Sequence, residues 1–147
     1  MDGKRSVLFL CTGNSCRSQR GEGFLRSMGG DEYETFSAGT EIADRVHPPA
    51  VKAMSENGID ISSQEPKPLG VFDDRKFDLL ITVCDDANQA CTVYLGARER
   101  MHWSLQDPAQ AQGTEEERMT FFRAIRDEIQ RRVGGLVETG VPEDEGA

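Results

Sequence analysis

The sequence predicts a single doubly wound α/β domain, in which a four-stranded parallel sheet carries helices on both faces. Short apolar runs alternate with segments of helical periodicity, and this alternation favours parallel strands joined by helical crossovers. A length of 147 residues suits one domain with a buried core. No repeat or linker divides the chain. We therefore predict one domain over residues 1–137 and a disordered acidic tail over 138–147, which has almost nothing to bury.

The first β-α unit begins with Ser6–Cys11 (SVLFLC), an apolar run without helical period that is typical of a central strand buried on both faces. The run stops at Thr12–Asn14. A helix is expected from Ser18, whose hydroxyl could cap it, to about Met28, and Gly29–Gly30 then end it.

The second unit pairs a strand at Glu34–Ala38 with a helix that opens at Pro48 and Pro49, because proline suits the first helical turn. Asn57–Gly58 end this helix. Its inward-facing residues are predicted to be Ala50, Val51, Ala53 and Met54.

The later part of the chain contributes two further strands. Ser62–Asp74 is rich in proline and polar residues and is predicted to be a loop, whereas Phe77–Cys84 (FDLLITVC) is the third buried strand. Arg100–Leu105 is the predicted fourth strand, which Asp107–Pro108 ends. Ligands bind beyond the carboxyl ends of parallel strands, so Cys11, Cys84 and Asp107 are expected to converge there.

A long amphipathic helix closes the domain. Thr114 and Glu117 form a capping-box pattern at its start. Apolar residues then recur every three or four positions, at Met119, Phe122, Ile125, Ile129, Val133 and Leu136.

The net charge and the first residues of the chain argue against nucleic-acid binding, export and membrane association. Seventeen Lys and Arg against 26 Asp and Glu give a net charge of -9, which disfavours binding to nucleic acid or to an anionic membrane. The apolar run after the first residues is too short for a signal peptide or a membrane span, so a cytoplasmic enzyme is expected. A monomer is the expected oligomeric state.

The loop Cys11–Ser18 (CTGNSCRS) carries the strongest functional signal. Five residues separate Cys11 from Arg17, and on a strand-to-helix turn this spacing points several backbone N–H groups inward, as a tetrahedral oxyanion requires. The guanidinium adds a planar fork of donors and favours the thiolate, whose ordinary pKa is ~8.5. Cys11 is therefore the predicted nucleophile. The predicted anion-binding residues are the rest of the loop, namely Thr12, Gly13, Asn14, Ser15, Cys16, Arg17 and Ser18.

These residues resemble the low-molecular-weight tyrosine phosphatase fold, whose members share the Cys-x5-Arg-Ser loop and a late Asp-Pro, here Asp107–Pro108. Within that fold, the chain looks most like the thioredoxin-coupled arsenate reductases. Four matches occur in order: CTGNSCRSQ at 11–19, FSAG at 36–39, the pair Cys84 and Cys91, and HWSLQDPA at 102–109. Phosphatases of this fold usually carry proline and an aromatic residue where this chain has Gln19 and Ala109.

The second cysteine pair favours the reductase over the phosphatase. Hydrolysis needs one thiolate and an acid, whereas reducing arsenate consumes two electrons that Cys84 and Cys91 can supply. The resemblance implies that Cys11 attacks arsenate while Asp107 donates a proton to the departing oxygen. Cys84 then attacks the Cys11 sulfur and releases arsenite, and Cys91 takes over the disulfide, which thioredoxin reduces. A regular helix would hold residues 84 and 91 ~10.5 Å apart, beyond the ~7 Å limit for a disulfide, so unwinding is expected there.

Several candidate residues also have a structural interpretation, and the chain has an alternative function. Asp107 could merely cap a turn, and Cys16 is expected to be a packed loop residue. His47 and His102 are expected to be structural residues at the ends of elements. A low-molecular-weight tyrosine phosphatase remains the alternative function. The residue numbers of successive cysteines differ by five, 68 and seven, which does not resemble zinc knuckles, so no metal site is predicted.

The resemblance also implies a cation beside the loop. Some reductases of this family hold a potassium ion with residues that match Asn14, Glu22 and Ser37, together with an aspartate that falls near Lys67 here. No tightly bound cofactor is predicted. The expectation is either a potassium ion at this place or its replacement by the Lys67 ammonium group.

Overall fold

Four strands and three α-helices are present in the computed structural model, which describes residues 4–11, 14, 16–72, 75–83, 97–103, 105 and 112–140. In chain order the elements are β1 (Arg5–Cys11), α1 (Arg17–Gly29), β2 (Tyr33–Gly39), α2 (Pro48–Glu56), a short 3-10 helix (Leu69–Phe72), β3 (Phe77–Thr82), β4 (Ala97–His102) and α3 (Glu115–Thr139). No helix within these ranges is long and apolar enough to cross a membrane.

The strands pair in the order β2-β1-β3-β4, and every pairing is parallel. The register aligns Leu10 of β1 with Thr82 of β3, and Thr82 with His102 of β4. The Val83 N–H donates to the Leu10 carbonyl at 3.0 Å, just before the chain continues into Cys84. The carboxyl ends of these strands therefore lie side by side, and the predicted α/β fold class is confirmed.

Both faces of the central strand are covered. Val7, Leu8, Phe9 and Leu10 of β1 have no exposed surface, although successive side chains point to opposite faces. Helix α1 packs so closely on one face that a Cβ added at Gly21 would lie 2.7 Å from the Phe9 ring. This approach fixes α1 relative to the sheet.

The fourth strand lies earlier than the sequence predicted. It spans Ala97–His102, whereas Arg100–Leu105 was expected from its apolar residues. β4 is an edge strand that pairs only with β3 within the described ranges, so its polar residues 98–100 can point into solvent. Trp103, which follows β4, has no exposed surface and packs on Phe9 with ring centroids 6.2 Å apart.

The predicted loop at 62–74 contains more structure than expected. A 3-10 helix at Leu69–Phe72 brings Phe72 against Phe36, with ring centroids 5.7 Å apart. A single parallel bridge joins Gly39 to Pro68. This bridge attaches the segment that carries Lys67 to the carboxyl end of β2, because the Gly39 N–H also donates to the Lys67 carbonyl at 2.8 Å.

Helix α3 begins as predicted and extends beyond the predicted domain end. Thr114 and Glu117 form the capping box in both directions, with hydrogen bonds of 3.1 and 2.8 Å. The helix continues through Thr139 to Gly140, which has a positive φ of 75°. It therefore includes the first two residues of the predicted tail; residues 141–147 lie outside the described ranges.

Two arginines of α3 bind the last residue of α2. Arg123 donates twice to Glu56 at 2.9 Å, once to each carboxylate oxygen, and Arg126 donates to it at 2.9 Å. The Arg123 hydrogen bond is the largest influence on this carboxyl, and with Arg126 it holds the pKa of Glu56 at about 2, against an ordinary value of 4.5. The ion pair therefore links the two helices over most of the acidic range.

Replacing Glu56 with glutamine is expected to lower the urea midpoint of unfolding in a pH-dependent manner. Because the folded-state pKa lies below the unfolded value, the stabilisation is present above pH 4.5 and is lost as the pH falls towards about 2. The midpoint difference between wild type and Glu56→Gln should follow the same course. Glu41→Gln, at an exposed loop carboxylate, is the control and should show no such pH dependence. An equal midpoint difference between wild type and Glu56→Gln at all pH values would contradict the assignment of the low Glu56 pKa to its ion pairs.

Candidate active site

Cys11 is the last residue of β1, and its sulfur lies between buried polar groups of Asn14 and Ser18. The side chain is only 2% exposed. The Asn14 backbone N–H donates to Sγ at 3.1 Å, and the Ser18 hydroxyl oxygen lies 2.8 Å from Sγ. Two polar groups thus face the sulfur, and such contacts favour the thiolate.

Asn14 adopts the left-handed conformation, with φ of 50°. It has no exposed surface, and its side-chain amide joins Ser18 of the loop to the segment at Lys67. Nδ2 donates to Ser18 Oγ at 2.8 Å, while Oδ1 accepts from the Lys67 backbone N–H at 2.7 Å. The residue therefore braces the turn, as expected for an asparagine at this conformation.

Ser18 does not cap α1, and this prediction was wrong. The helix begins at Arg17, and Cys16 occupies the N-cap position without a capping hydrogen bond from its side chain. The Ser18 hydroxyl instead points into the loop, where it contacts Cys11 and Asn14. The residue thereby contributes to the nucleophile's surroundings and not to the helix end.

Arg17 is buried at the start of α1, with 7% of its surface exposed. Its Nη1 donates to the Leu105 carbonyl at 3.0 Å. This bond holds the guanidinium between the nucleophile loop and the segment that leads to Asp107 in sequence. A fixed guanidinium is suited to two oxygens of a tetrahedral anion.

Arg20 is a second buried arginine beside the loop. It has no exposed surface, donates to the Phe122 carbonyl at 2.7 Å and lies 5.7 Å from the centroid of the Phe122 ring. Burial lowers the pKa of Arg20, and the neighbouring Cys16 opposes this effect through charge and hydrogen bonding. Cys16 itself is 4% exposed and packs with Ala50 and Met119, as a packed loop residue would.

Four residues associated with the implied cation site come together behind the loop. Ser37 donates to Glu22 at 2.5 Å, Arg26 donates to the other carboxylate oxygen, and the Lys67 ammonium lies 3.9 Å from Glu22. Asn14 is joined to this group through the Lys67 backbone. Two positive side chains already face the one buried carboxylate, so a further cation fits poorly here.

Several predicted site residues lie outside the described ranges: Thr12, Gly13, Ser15, Cys84, Cys91 and Asp107. Their roles remain predictions. Among the described residues, no three His, Cys, Asp or Glu side chains are grouped as a metal site would require. His47 and His102 lie at the ends of elements: His47 stacks on Phe122 and His102 contacts Thr82 at 2.6 Å.

Sequence reasoning missed Gln19 as part of the site. This side chain has no exposed surface, and its Nε2 lies within 3.0 Å of both oxygens of Asn14 and 2.9 Å from the Glu65 carbonyl. The only sequence signal was that Gln19 stands where phosphatases of this fold usually have proline. Two of its acceptors belong to nearby Asn14, but the Glu65 carbonyl is distant in sequence, so no local pattern could have revealed the whole set.

The chain matches the family model for the low molecular weight phosphotyrosine protein phosphatase over residues 6–145. It is 47% identical to an arsenate reductase of Halalkalibacterium halodurans over 137 residues. This alignment covers 93% of this chain and 98% of the relative.

Solved structures of arsenate reductases are also similar to this chain. An arsenate reductase in the phosphate binding state is similar at a TM-score of 0.79 and 33% identity, over 91% of this chain and 97% of the other. A thioredoxin-dependent arsenate reductase of Corynebacterium glutamicum is similar at a TM-score of 0.72 and 31% identity, over 92% of this chain and 61% of the other.

Proposed function

This chain belongs to the low molecular weight phosphotyrosine protein phosphatase family, and from that premise we propose that it is an arsenate reductase. The observation that carries the proposal is the placement of the Cys11 sulfur, which receives the Asn14 N–H at 3.1 Å and contacts Ser18 at 2.8 Å. The similarity of the chain to arsenate reductases supports arsenate, and not a phosphate ester, as the substrate of this chain.

The first step is nucleophilic attack on a tetrahedral oxyanion. The Cys11 thiolate forms a bond to arsenic(V), and one arsenic oxygen departs as water after accepting protons, one of them from Asp107. Arg17 and the backbone N–H groups of the loop bind the remaining oxygens and hold their negative charge. The adduct at this stage is still at the oxidation level of arsenate.

The second step transfers the electrons. The Cys84 thiolate attacks the Cys11 sulfur, the sulfur–arsenic bond breaks, and its electron pair stays on arsenic, which leaves as arsenite. A Cys11–Cys84 disulfide remains. Cys91 then attacks Cys84, which restores the Cys11 thiolate and leaves a Cys84–Cys91 disulfide. Two thiols are thus oxidised for each arsenate reduced.

Thioredoxin is the proposed reductant of the final disulfide. The similarity to the thioredoxin-dependent enzyme of C. glutamicum supports this choice, and a dithiol reductant supplies the two electrons required. The cycle needs cysteines that remain reduced between turnovers. A cytoplasmic location therefore remains the expectation, because that compartment keeps thiols reduced. A monomer is expected as well.

A coupled assay distinguishes reduction from hydrolysis. With thioredoxin, thioredoxin reductase and NADPH present, the protein should consume NADPH only when arsenate is added. Phosphate and arsenate are similar tetrahedral anions, and family membership also fits a phosphatase, so an aryl phosphate is tested in parallel. Hydrolysis of the aryl phosphate without arsenate-dependent NADPH consumption would favour the phosphatase and contradict the reductase.

We further propose that the Lys67 ammonium takes the place of a potassium ion beside the loop. It lies 3.9 Å from the Glu22 carboxylate and donates to the Glu65 carbonyl at 2.9 Å, while its backbone N–H holds Asn14. The ammonium adds to the positive charge that Arg26 already brings to the buried carboxylate.

Wild-type arsenate reduction is therefore expected to be the same in potassium and sodium salts at equal ionic strength. Lys67→Asp should be slower and should be activated by potassium more than by sodium, because a second carboxylate replaces the ammonium. Lys76→Asp, at an exposed lysine, makes the same charge change and should show no potassium response. Several-fold activation of the wild type by potassium would contradict the substitution.

A further inference from the structure

We propose that Gln19 is a positioning residue for the Cys11 thiolate. It holds Asn14 in the orientation that makes the Ser18 hydroxyl donate its hydrogen to the Cys11 sulfur. The proposal rests on the proposed function only in taking Cys11 as the nucleophile. It would apply equally to attack on arsenate or on phosphate.

Backbone groups fix the orientation of the Asn14 amide. The Lys67 N–H can only donate, and it lies 2.7 Å from one end of the amide, which must therefore be the oxygen Oδ1. The other end, Nδ2, then faces Ser18 Oγ at 2.8 Å. A flipped Asn14 would place two donors against each other in a fully buried position.

The orientation of Asn14 decides the polarity of the contact between Ser18 and Cys11. A hydroxyl has one hydrogen, and its oxygen here accepts the bond from Asn14. The hydroxyl hydrogen is not used in that bond, and a thiolate sulfur can only accept, so Ser18 donates to Cys11 across the 2.8 Å from Oγ when the cysteine is ionised. A donated hydrogen bond stabilises the thiolate more than the thiol and lowers the cysteine pKa.

Gln19 is fixed in turn by groups that can only accept. Its Nε2 lies 3.0 Å from the Asn14 carbonyl, 3.0 Å from Asn14 Oδ1 and 2.9 Å from the Glu65 carbonyl. Carbonyl oxygens cannot donate, so this end of the side chain is the amide nitrogen. Gln64 Nε2 donates to the Gln19 side-chain oxygen at 2.5 Å and to its carbonyl at 3.1 Å.

The loop needs such an anchor because Asn14 has an unfavourable backbone. A φ of 50° carries a cost for a residue other than glycine, although asparagine bears it better than most, and Gln19 helps to hold Asn14 there by binding both its carbonyl and its side chain. Without these bonds Asn14 keeps its contact with the Lys67 N–H but loses the two from Gln19, so its amide can tilt away from Ser18 and the Ser18 hydroxyl can direct its hydrogen away from the sulfur. Proline, the usual residue here in phosphatases of this fold, has no donor with which to make them.

The test measures the pKa of Cys11 without arsenate. The rate of iodoacetamide labelling at Cys11, located by fragment-ion mass spectrometry, is followed against pH in wild type, Gln19→Leu and Gln19→Met. Both variants remove the amide and keep a side chain of similar length. Each should raise the Cys11 pKa by about one, because a hydrogen bond to a charged group is weakened. Gln130→Leu, on the exposed face of α3, is the control and should leave it unchanged.

A double-mutant cycle with Ser18→Ala tests the route of the effect. Ser18→Ala alone should raise the Cys11 pKa, and adding Gln19→Leu should raise it no further, because the effect passes through the Ser18 hydroxyl. An unchanged pKa in both Gln19 variants, or full additivity with Ser18→Ala, would overturn the proposal. Failure of both variants to fold would overturn it as well, because Gln19 would then serve the fold. Absence of arsenate reduction in the wild type would count against the proposed function alone.

Discussion

Arsenate reduction is expected to fall by about 10⁴-fold or more when Cys11 is replaced with serine. The hydroxyl of serine is not ionised near neutral pH, so the contacts of the wild-type sulfur with Asn14 and Ser18, at 3.1 and 2.8 Å, would surround a poor nucleophile. Serine also cannot form the disulfide that releases arsenite. The variant therefore loses both steps, and quantification of arsenite over time is the direct measurement.

The Cys11→Ser protein should remain folded and should still bind phosphate, because Arg17 and the loop backbone are unchanged. Calorimetric titration with phosphate is the control, with circular dichroism to confirm the fold. Arsenite formation at a rate comparable with that of the wild type would show that another residue is the nucleophile. Loss of phosphate binding would instead indicate that the loop had collapsed.

Arg17→Lys is expected to lower kcat/KM for arsenate by about 10²–10³-fold. The lysine keeps the positive charge but offers no planar fork, and it cannot reproduce the bond from Arg17 to the Leu105 carbonyl at 3.0 Å while binding two anion oxygens. Steady-state kinetics with the thioredoxin-coupled assay measure the effect. Arg98→Lys is the matched control, because that side chain is 82% exposed on the edge strand, and its kinetics should not change. Kinetics near wild type in Arg17→Lys would remove the guanidinium from the proposed mechanism.

Sequence patterns predicted the elements whose signals lie in neighbouring residues. β1, α2 and the capping box at Thr114 follow from local residues and were found near their predicted positions. β4 was misplaced because an edge strand pairs on one side and can carry polar residues, so residues 98–100 gave no apolar signal. The 3-10 helix at Leu69–Phe72 depends on packing of Phe72 against Phe36, which is distant in sequence.

The candidate site likewise contains residues that local sequence could predict and residues whose contacts are distant in sequence. Cys11, Asn14 and Arg17 were predictable because the loop spacing and the strand-to-helix turn are local properties. The bonds of Gln19 and Lys67 to Asn14 depend on the segment around residue 65 folding back beside the loop. Ser18 was assigned to the helix cap because a serine near a helix start usually caps it, whereas here it faces the sulfur. The roles of Cys84, Cys91 and Asp107 remain predictions.

The relay through Cys11, Cys84 and Cys91 is the central claim, and arsenite release in a single turnover tests it most directly. Wild type, Cys84→Ser and Cys91→Ser are each fully reduced, freed of reductant and mixed with excess arsenate. Cys91→Ser should release about one arsenite per protein and accumulate a Cys11–Cys84 disulfide, visible by mass spectrometry. Cys84→Ser should release none. Full release of arsenite by Cys84→Ser would contradict the relay.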